Sequence, residues 1–225
     1  MDMFKGMGIA FGALLLTACA SAPKTEKITA ANGSSVALYS GFISTDMNGN
    51  RYADVKLREV TPAHTAGGMG LNVLTSVLAG GLVANTFSKE GLKGNSIDSL
   101  PEPTKAYLTP KAKPVIAAWL QKNGNGYQYK NDLNIVAAQW LLVYQDLGAD
   151  NSNYELRYTV KFYKKPEDAN MFSAFIISEC TPKPETAKLA DWQANGYELV
   201  KKTTEKYMDS CVLELDNQLP RLLKH

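Results

Sequence analysis

Tyr154, Leu156, Tyr158, Val160 and Phe162 interleave residue by residue with Glu155, Arg157, Thr159, Lys161 and Tyr163. Period two is the spacing of a strand with one buried face. Just before it, Leu133 to Tyr144 is almost continuously apolar, with Ile135, Val136, Trp140, Leu141, Leu142 and Val143. Such a run predicts a central strand covered on both faces. Met171 to Ser178, ending at Glu179-Cys180, supplies a third strand, and short connections make the trio an antiparallel meander. Nearer the start, Val36 to Ile43 is rich in strand formers, and Arg51 to Val60 sets Asp54, Lys56 and Arg58 against Val55 and Leu57. Asn48-Gly49 lies between them. Both central positions of a tight turn need positive φ, so this stretch predicts a β-hairpin.

Helical spacing marks two other segments. Val115, Ile116, Trp119 and Leu120 form one apolar face. Thr109-Pro110 or Pro114 opens that helix, and Asn123-Gly124-Asn125-Gly126 closes it. The tail carries Val200, Thr204, Tyr207, Met208, Cys211, Leu215 and Leu219 on one stripe, after Leu189 and Trp192 and a break at Asn195-Gly196. Pro182 and Pro184 precede it and Pro220 should stop it. Lys89 to Thr109 is polar and punctuated by Gly91, Gly94, Pro101 and Pro103, and reads as a loop. The expected class is α+β: an antiparallel sheet, built from the N-terminal hairpin and the meander, with helices packed on one face and a long C-terminal helix.

One stretch fits no simple element. Thr65 to Ser88 is uncharged, with five glycines (67, 68, 70, 80 and 81) among apolar residues. Leu71, Leu74, Leu78 and Leu82 fall on one helical stripe, interrupted by Asn72, Ser76 and Asn85. Three readings stay open: a helix in the protein's own core, a surface that docks a partner or a second copy, and a segment entering a bilayer. Small residues allow close backbone approach, and an exposed patch this apolar would demand a partner.

The first segment has a secretory layout. Lys5 precedes an apolar, uncharged run from Gly6 to Leu16, too short to span a bilayer. Leu16-Thr17-Ala18-Cys19 then places the first cysteine behind two small residues. This pattern resembles the lipobox of bacterial lipoproteins. The resemblance implies that residues 1–18 are a signal peptide and that Cys19 becomes the acylated first residue. Ala20 follows where an acidic residue would favour the inner membrane, which by the same analogy points to the outer membrane. An ordinary secretion signal cut near Ala18-Cys19-Ala20-Ser21, or a buried core cysteine, is the alternative. The small, polar stretch at 19–32, with Pro23, Lys24, Glu26 and Lys27, reads as a flexible tether. Residues 33–225 read as one periplasmic domain carrying the Gly-rich segment at 65–88.

Cysteine usage follows from that anchor. The chain has three cysteines among 225 residues. With Cys19 acylated, Cys180 and Cys211 are left in an oxidising compartment, and a disulfide between them is expected. Two separate buried thiols are the alternative.

Composition argues mainly by exclusion. A formal net charge of +2 leaves no nucleic-acid footprint. The two histidines, His64 and His225, stand far apart, which removes the usual general base and the commonest metal ligand. No zinc-type spacing, nucleophile elbow or phosphate loop occurs, so no metal, cofactor or catalytic residue is assigned. Glu167-Asp168 is a carboxylate pair on a polar turn and reads as solvated. Tyr127 and Tyr129, near Asn123, Asn125 and Asn131, form an aromatic-polar loop suited to a sugar or a protein, or else a strand start with one tyrosine packed inward.

The functional expectation is therefore a non-enzymatic accessory. It is held in the outer membrane by acylated Cys19, faces the periplasm, and joins an envelope protein partner or a second copy. Its layout is loosely similar to small accessory lipoproteins of envelope transport and secretion machines. An apolar-ligand module with the Gly-rich helix as lid is the alternative, and glycan hydrolysis by carboxylates alone is a third.

Overall fold

The computed structural model describes residues 25–42, 55–64, 94–146 and 153–225. Along the chain these form β1 (Thr25–Thr29), β2 (Ser35–Phe42), β3 (Leu57–Val60), β4 (Asn95–Ile97) and a single π turn (Thr104–Leu108) that leads into α1 (Thr109–Asn123). Then come β5 (Leu133–Tyr144), β6 (Asn153–Lys164), β7 (Ile176–Cys180), β8 (Glu185–Lys188) and α2 (Leu189–Leu222).

The spine of the sheet is the β5–β6 pair. It is antiparallel from Asn134↔Tyr163 to Tyr144↔Tyr154, with one irregularity between Ala137 and Gln139. Each outer edge of this long ribbon is shared by two short strands lying end to end. On the β5 side, β2 pairs with Leu133–Ala137 and β3 with Leu141–Val143, both parallel to it. On the β6 side, β7 takes Val160–Lys164 and β8 takes Asn153–Leu156, both antiparallel. β1 completes one corner against β2, and β4 another against β3.

The meander expected from the alternation is present as β5, β6 and β7. The inward phase of β6 (Tyr154, Leu156, Tyr158, Val160, Phe162) is buried, and β5 is buried on both phases, including Val136, Leu141 and Val143. Both helices lie on the face that carries the β6 inward phase. Trp140 Nε1 donates to Thr204 Oγ1 of α2 at 3.1 Å, and Ser40 Oγ lies 2.5 Å from Thr109 Oγ1 of α1. The C-terminal stripe packs as its spacing indicates, with Val200, Thr204, Tyr207, Met208, Cys211, Leu215 and Leu219 all buried.

Several sequence expectations are corrected. β2 and β3 both run parallel to β5, hence in the same direction as each other, so they are not the two arms of a hairpin. The Asn48-Gly49 turn lies outside the described residues. The hairpin of this region is β1–β2, closed by the turn over Ala30–Ser34. β1 thus occupies part of the stretch read as a tether at 19–32; Ile28 supplies a buried anchor that composition alone concealed. The stretch read as a loop before α1 contains β4 and the π turn, whose free N–H groups at Thr104 and Lys105 are capped by the Glu102 carboxylate at 2.8 Å each. β7 begins at Ile176 rather than Met171, and β8 lies in the segment read as a prelude to the last helix. Pro220 sits within the final turn of α2, which continues to Leu222.

The break expected at Asn195-Gly196 is real. Ala194 is extended, and Asn195, Gly196 and Tyr197 have φ of 50°, 65° and 65°. Glycine and asparagine adopt this left-handed region at low cost, while tyrosine does not.

Candidate functional site

The inward phase of β6 runs one step beyond its apolar residues and ends on a lysine. Lys164 is wholly buried, and its Nζ pairs with Glu167 Oε1, whose side chain is 7% exposed. The same ammonium donates to the Lys165 carbonyl at 3.1 Å. Glu167 Oε2 accepts from the backbone N–H of Lys130 at 2.9 Å and from the Tyr127 hydroxyl at 3.1 Å. Burial opposes ionisation of this carboxyl. The donors from Lys130, Lys164 and Tyr127 outweigh it and hold the pKa below its ordinary value of 4.5. A carboxylate so held is a poor proton donor near neutrality. The reading of Glu167 as solvated is therefore corrected: the chain after β6 folds it back beneath the 127–131 loop, while Asp168 stays exposed.

Tyr127 and Tyr129 meet at 4.9 Å between ring centroids, edge to face. The His225 ring stacks on Tyr127 at 4.2 Å and 14°. Tyr129 is the tyrosine packed inward. Its hydroxyl donates to the Leu223 carbonyl at 2.6 Å and lies 3.1 Å from His225 Nδ1. Burial first, and then the Glu167 charge, push its pKa up to about 12. Lys164 Nζ stands 5.1 Å from the Tyr129 ring centroid, within cation–π range. Asn131 Nδ2 donates to the Pro166 carbonyl at 2.7 Å. Asn123 bonds its own helix at Trp119, and Asn125 serves the turn with φ 47°. The aromatic-polar loop thus joins the end of β6 to the C-terminal residues. Tyr127, Tyr129 and Asn131 direct their polar groups to Glu167, the Leu223 carbonyl and the Pro166 carbonyl, so these three residues clamp the segments together.

A second buried carboxylate lies at the α2 break. Glu59 Oε2 accepts from Gln193 Nε2 at 2.9 Å and sits 3.4 Å from the Tyr197 hydroxyl. This contact ties the strained Tyr197 to β3. Both Lys164 and Glu59 continue an inward alternation with a charged residue, and that mismatch of charge and phase is the signal a closer reading of the sequence could have used.

Between β1, β2 and α1 runs an open groove of about 750 Å³. Leu38 and Pro110 line it beside Ser40, Thr109, Lys105 and the Glu26–Lys113 ion pair.

Of the residues singled out from sequence, Cys180 and Cys211 are joined in a disulfide with Cα atoms 5.6 Å apart, tying the end of β7 to α2. Cys19 and Leu71, Leu74, Leu78 and Leu82 lie outside the described residues. Among the described residues, no cluster of three potential metal ligands occurs and no helix is long and apolar enough to cross a membrane. One feature escaped the sequence reading. Met171 and Phe172, taken there as the start of a strand, form the tip of the β6–β7 connection and are 85% and 92% exposed. Asn170 fixes this tip: its Oδ1 accepts from the Phe172 N–H at 2.9 Å, and its own N–H donates to Ser173 Oγ at 2.9 Å.

Comparison with protein-family models, with curated proteins and with solved structures finds no match to this chain.

Proposed function

We propose that this chain is an envelope lipoprotein, held in the outer membrane by acylated Cys19, facing the periplasm and acting as a non-enzymatic accessory in a protein assembly. The observation that carries this reading is the Cys180–Cys211 disulfide. It consumes two of the three cysteines and leaves Cys19, the one behind Leu16-Thr17-Ala18, for modification. A bonded pair also suits an oxidising compartment. The accessory role is supported by the state of the polar clusters. The Glu167 carboxylate is engaged by an ammonium, a hydroxyl and a backbone N–H, which favours a structural over a catalytic use.

The test has two parts. Mass measurement of the mature protein from envelopes should find acyl groups on a chain beginning at Cys19, and Cys19→Ser should remove them and release the protein from the outer-membrane fraction. Cross-linking in gently solubilised envelopes should then capture a protein partner or a second copy. A mature chain with an unmodified Cys19 thiol, or an acylated one that is monomeric and captures nothing, would sink the respective part.

A further inference from the structure

We infer that the β6–β7 tip, Met171-Phe172 with Phe175 behind it, seats in the interface of the same bilayer that holds the acyl chains. This deepens the reading above and rests on it.

The tip is built to present apolar groups. Its backbone polar groups are turned on themselves: the Ser173 N–H donates to the Asn170 carbonyl at 3.2 Å, and the Ala169 N–H to the Pro166 carbonyl at 3.1 Å. The turn therefore keeps its shape with Met171 and Phe172 in solvent. Phe175, 38% exposed, stands edge to face against Tyr163 at 5.3 Å, and Ile177 beside it is 39% exposed. Lys165 Nζ lies 5.4 Å from the Phe175 ring. A lysine over an aromatic ring, next to bare apolar side chains, suits an interface where the rings enter lipid and the ammonium reaches acidic headgroups.

The occupant follows from the chain that leads to the anchor. β1 starts at Thr25, and six peptide units separate it from Cys19. That length spans at most about 20 Å. Thr25 pairs with Tyr39, Tyr39 with Asn134, Asn134 with Tyr163, and Tyr163 with Ile177. These five residues form one row across the sheet, on the face turned away from both helices. Four strand spacings, about 19 Å in all, separate its ends. An acylated Cys19 thus holds the root of β1 within about 20 Å of the headgroups. The far end of the row, from which the tip extends, lies about as far from Thr25, so anchor and tip can meet one bilayer on the face opposite α1 and α2. A protein partner would not be tied to this corner by the tether length; the bilayer is.

The experiment uses the acylated full chain reconstituted into vesicles of phosphatidylethanolamine and phosphatidylglycerol. Phe172→Trp adds an indole at a site too exposed to disturb folding, and its emission is read as the difference from the parent, whose Trp119, Trp140 and Trp192 are common to both. The expected result is a blue-shifted maximum and strong quenching by lipids brominated near the headgroup. Removing phosphatidylglycerol, or introducing Lys165→Gln, should weaken the quenching. Emission at the solvent maximum in an acylated protein overturns the inference and leaves the anchor standing. Shielding that appears only when co-purified envelope proteins are present overturns it in favour of a protein contact. Absence of acyl groups by mass overturns the anchor and the inference together.

Discussion

The hydroxyl of Tyr129 donates to the backbone carbonyl of Leu223 at 2.6 Å, across 94 residues of sequence. This bond closes the chain's end onto the loop that precedes β5. Beneath it lies the Lys164–Glu167 pair, so one hydroxyl links the last turn of α2 to the only stretch of β6 that buries an ammonium.

Tyr129→Phe removes this bond and leaves a buried carbonyl without its donor. We expect a loss of about 1–2 kcal/mol in urea unfolding and faster amide exchange over the last turn of α2. The same residue sets an alkaline signature. Burial raises Tyr129 to about 12, and burial likewise raises Tyr207 to about 12. Each favours the neutral form in the folded state, so their contribution is complete below about pH 10 and is lost as pH rises toward 12. Absorbance titration should show both ionising late, with Tyr129→Phe deleting one late step.

Glu167→Gln strands the Lys164 ammonium. The Lys165 carbonyl still accepts from it, so the cost falls at or somewhat below the usual figure for a broken buried pair, about 2–4 kcal/mol. Glu167 has a lowered pKa, so its contribution is present above about 4.5 and is lost as pH falls through the folded-state value. The urea midpoint of the parent should therefore drop as pH falls below about 4.5, while that of Glu167→Gln changes less. Equal acid sensitivity in the two proteins would refute this account.

Gly124→Ala tests the end of α1. A Cβ there would stand 2.4 Å from Ser34 Oγ and 2.7 Å from the Leu120 carbonyl oxygen. Ser34 is fully buried, and its Oγ accepts from the Gly126 N–H at 2.9 Å, so it has no room to withdraw. Overpacking of this kind costs about 1–3 kcal/mol, read in urea unfolding. Asn32, which caps α1 through Nδ2 to the Leu120 and Gln121 carbonyls at 3.0 Å each, should lose protection alongside it.

Joint replacement of Cys180 and Cys211 by alanine opens a loop with a sequence separation of 31. The chain-entropy relation puts the cost at about 3–4 kcal/mol. Reduction of the parent should reproduce most of that loss in denaturant titration. An unchanged midpoint would mean that packing of α2 on β6 holds the element without the bridge.

How much was legible follows the range of each signal. Period two in 153–164 and the stripe from Val200 to Leu219 are properties of neighbours along the chain, and both elements stand where the pattern puts them. Asn195 and Gly196 likewise announce the break in α2, because the left-handed turn is a matter of local sterics. The candidate site was half visible. Tyr127, Tyr129 and Asn131 stand out as a group, but Glu167 reads as a surface charge: Lys164, three residues away, hints otherwise by falling on the inward phase of β6, while the Lys130 N–H reaches Glu167 only in the fold.

Sequence alone determined the α+β class, the long strands β5 and β6, the two helices and their inward phases, because hydrophobic periodicity is set by the backbone geometry of a single helix or strand. The short strands β1, β4 and β8 and the Cys180–Cys211 pairing were settled by the fold. Tertiary structure decided which strands became partners. β2 and β3 share one edge of β5, and β7 and β8 share one edge of β6, because two twelve-residue strands leave edges long enough for two short neighbours each. Pairing of that kind depends on edges created only when distant segments meet, and no local pattern records it.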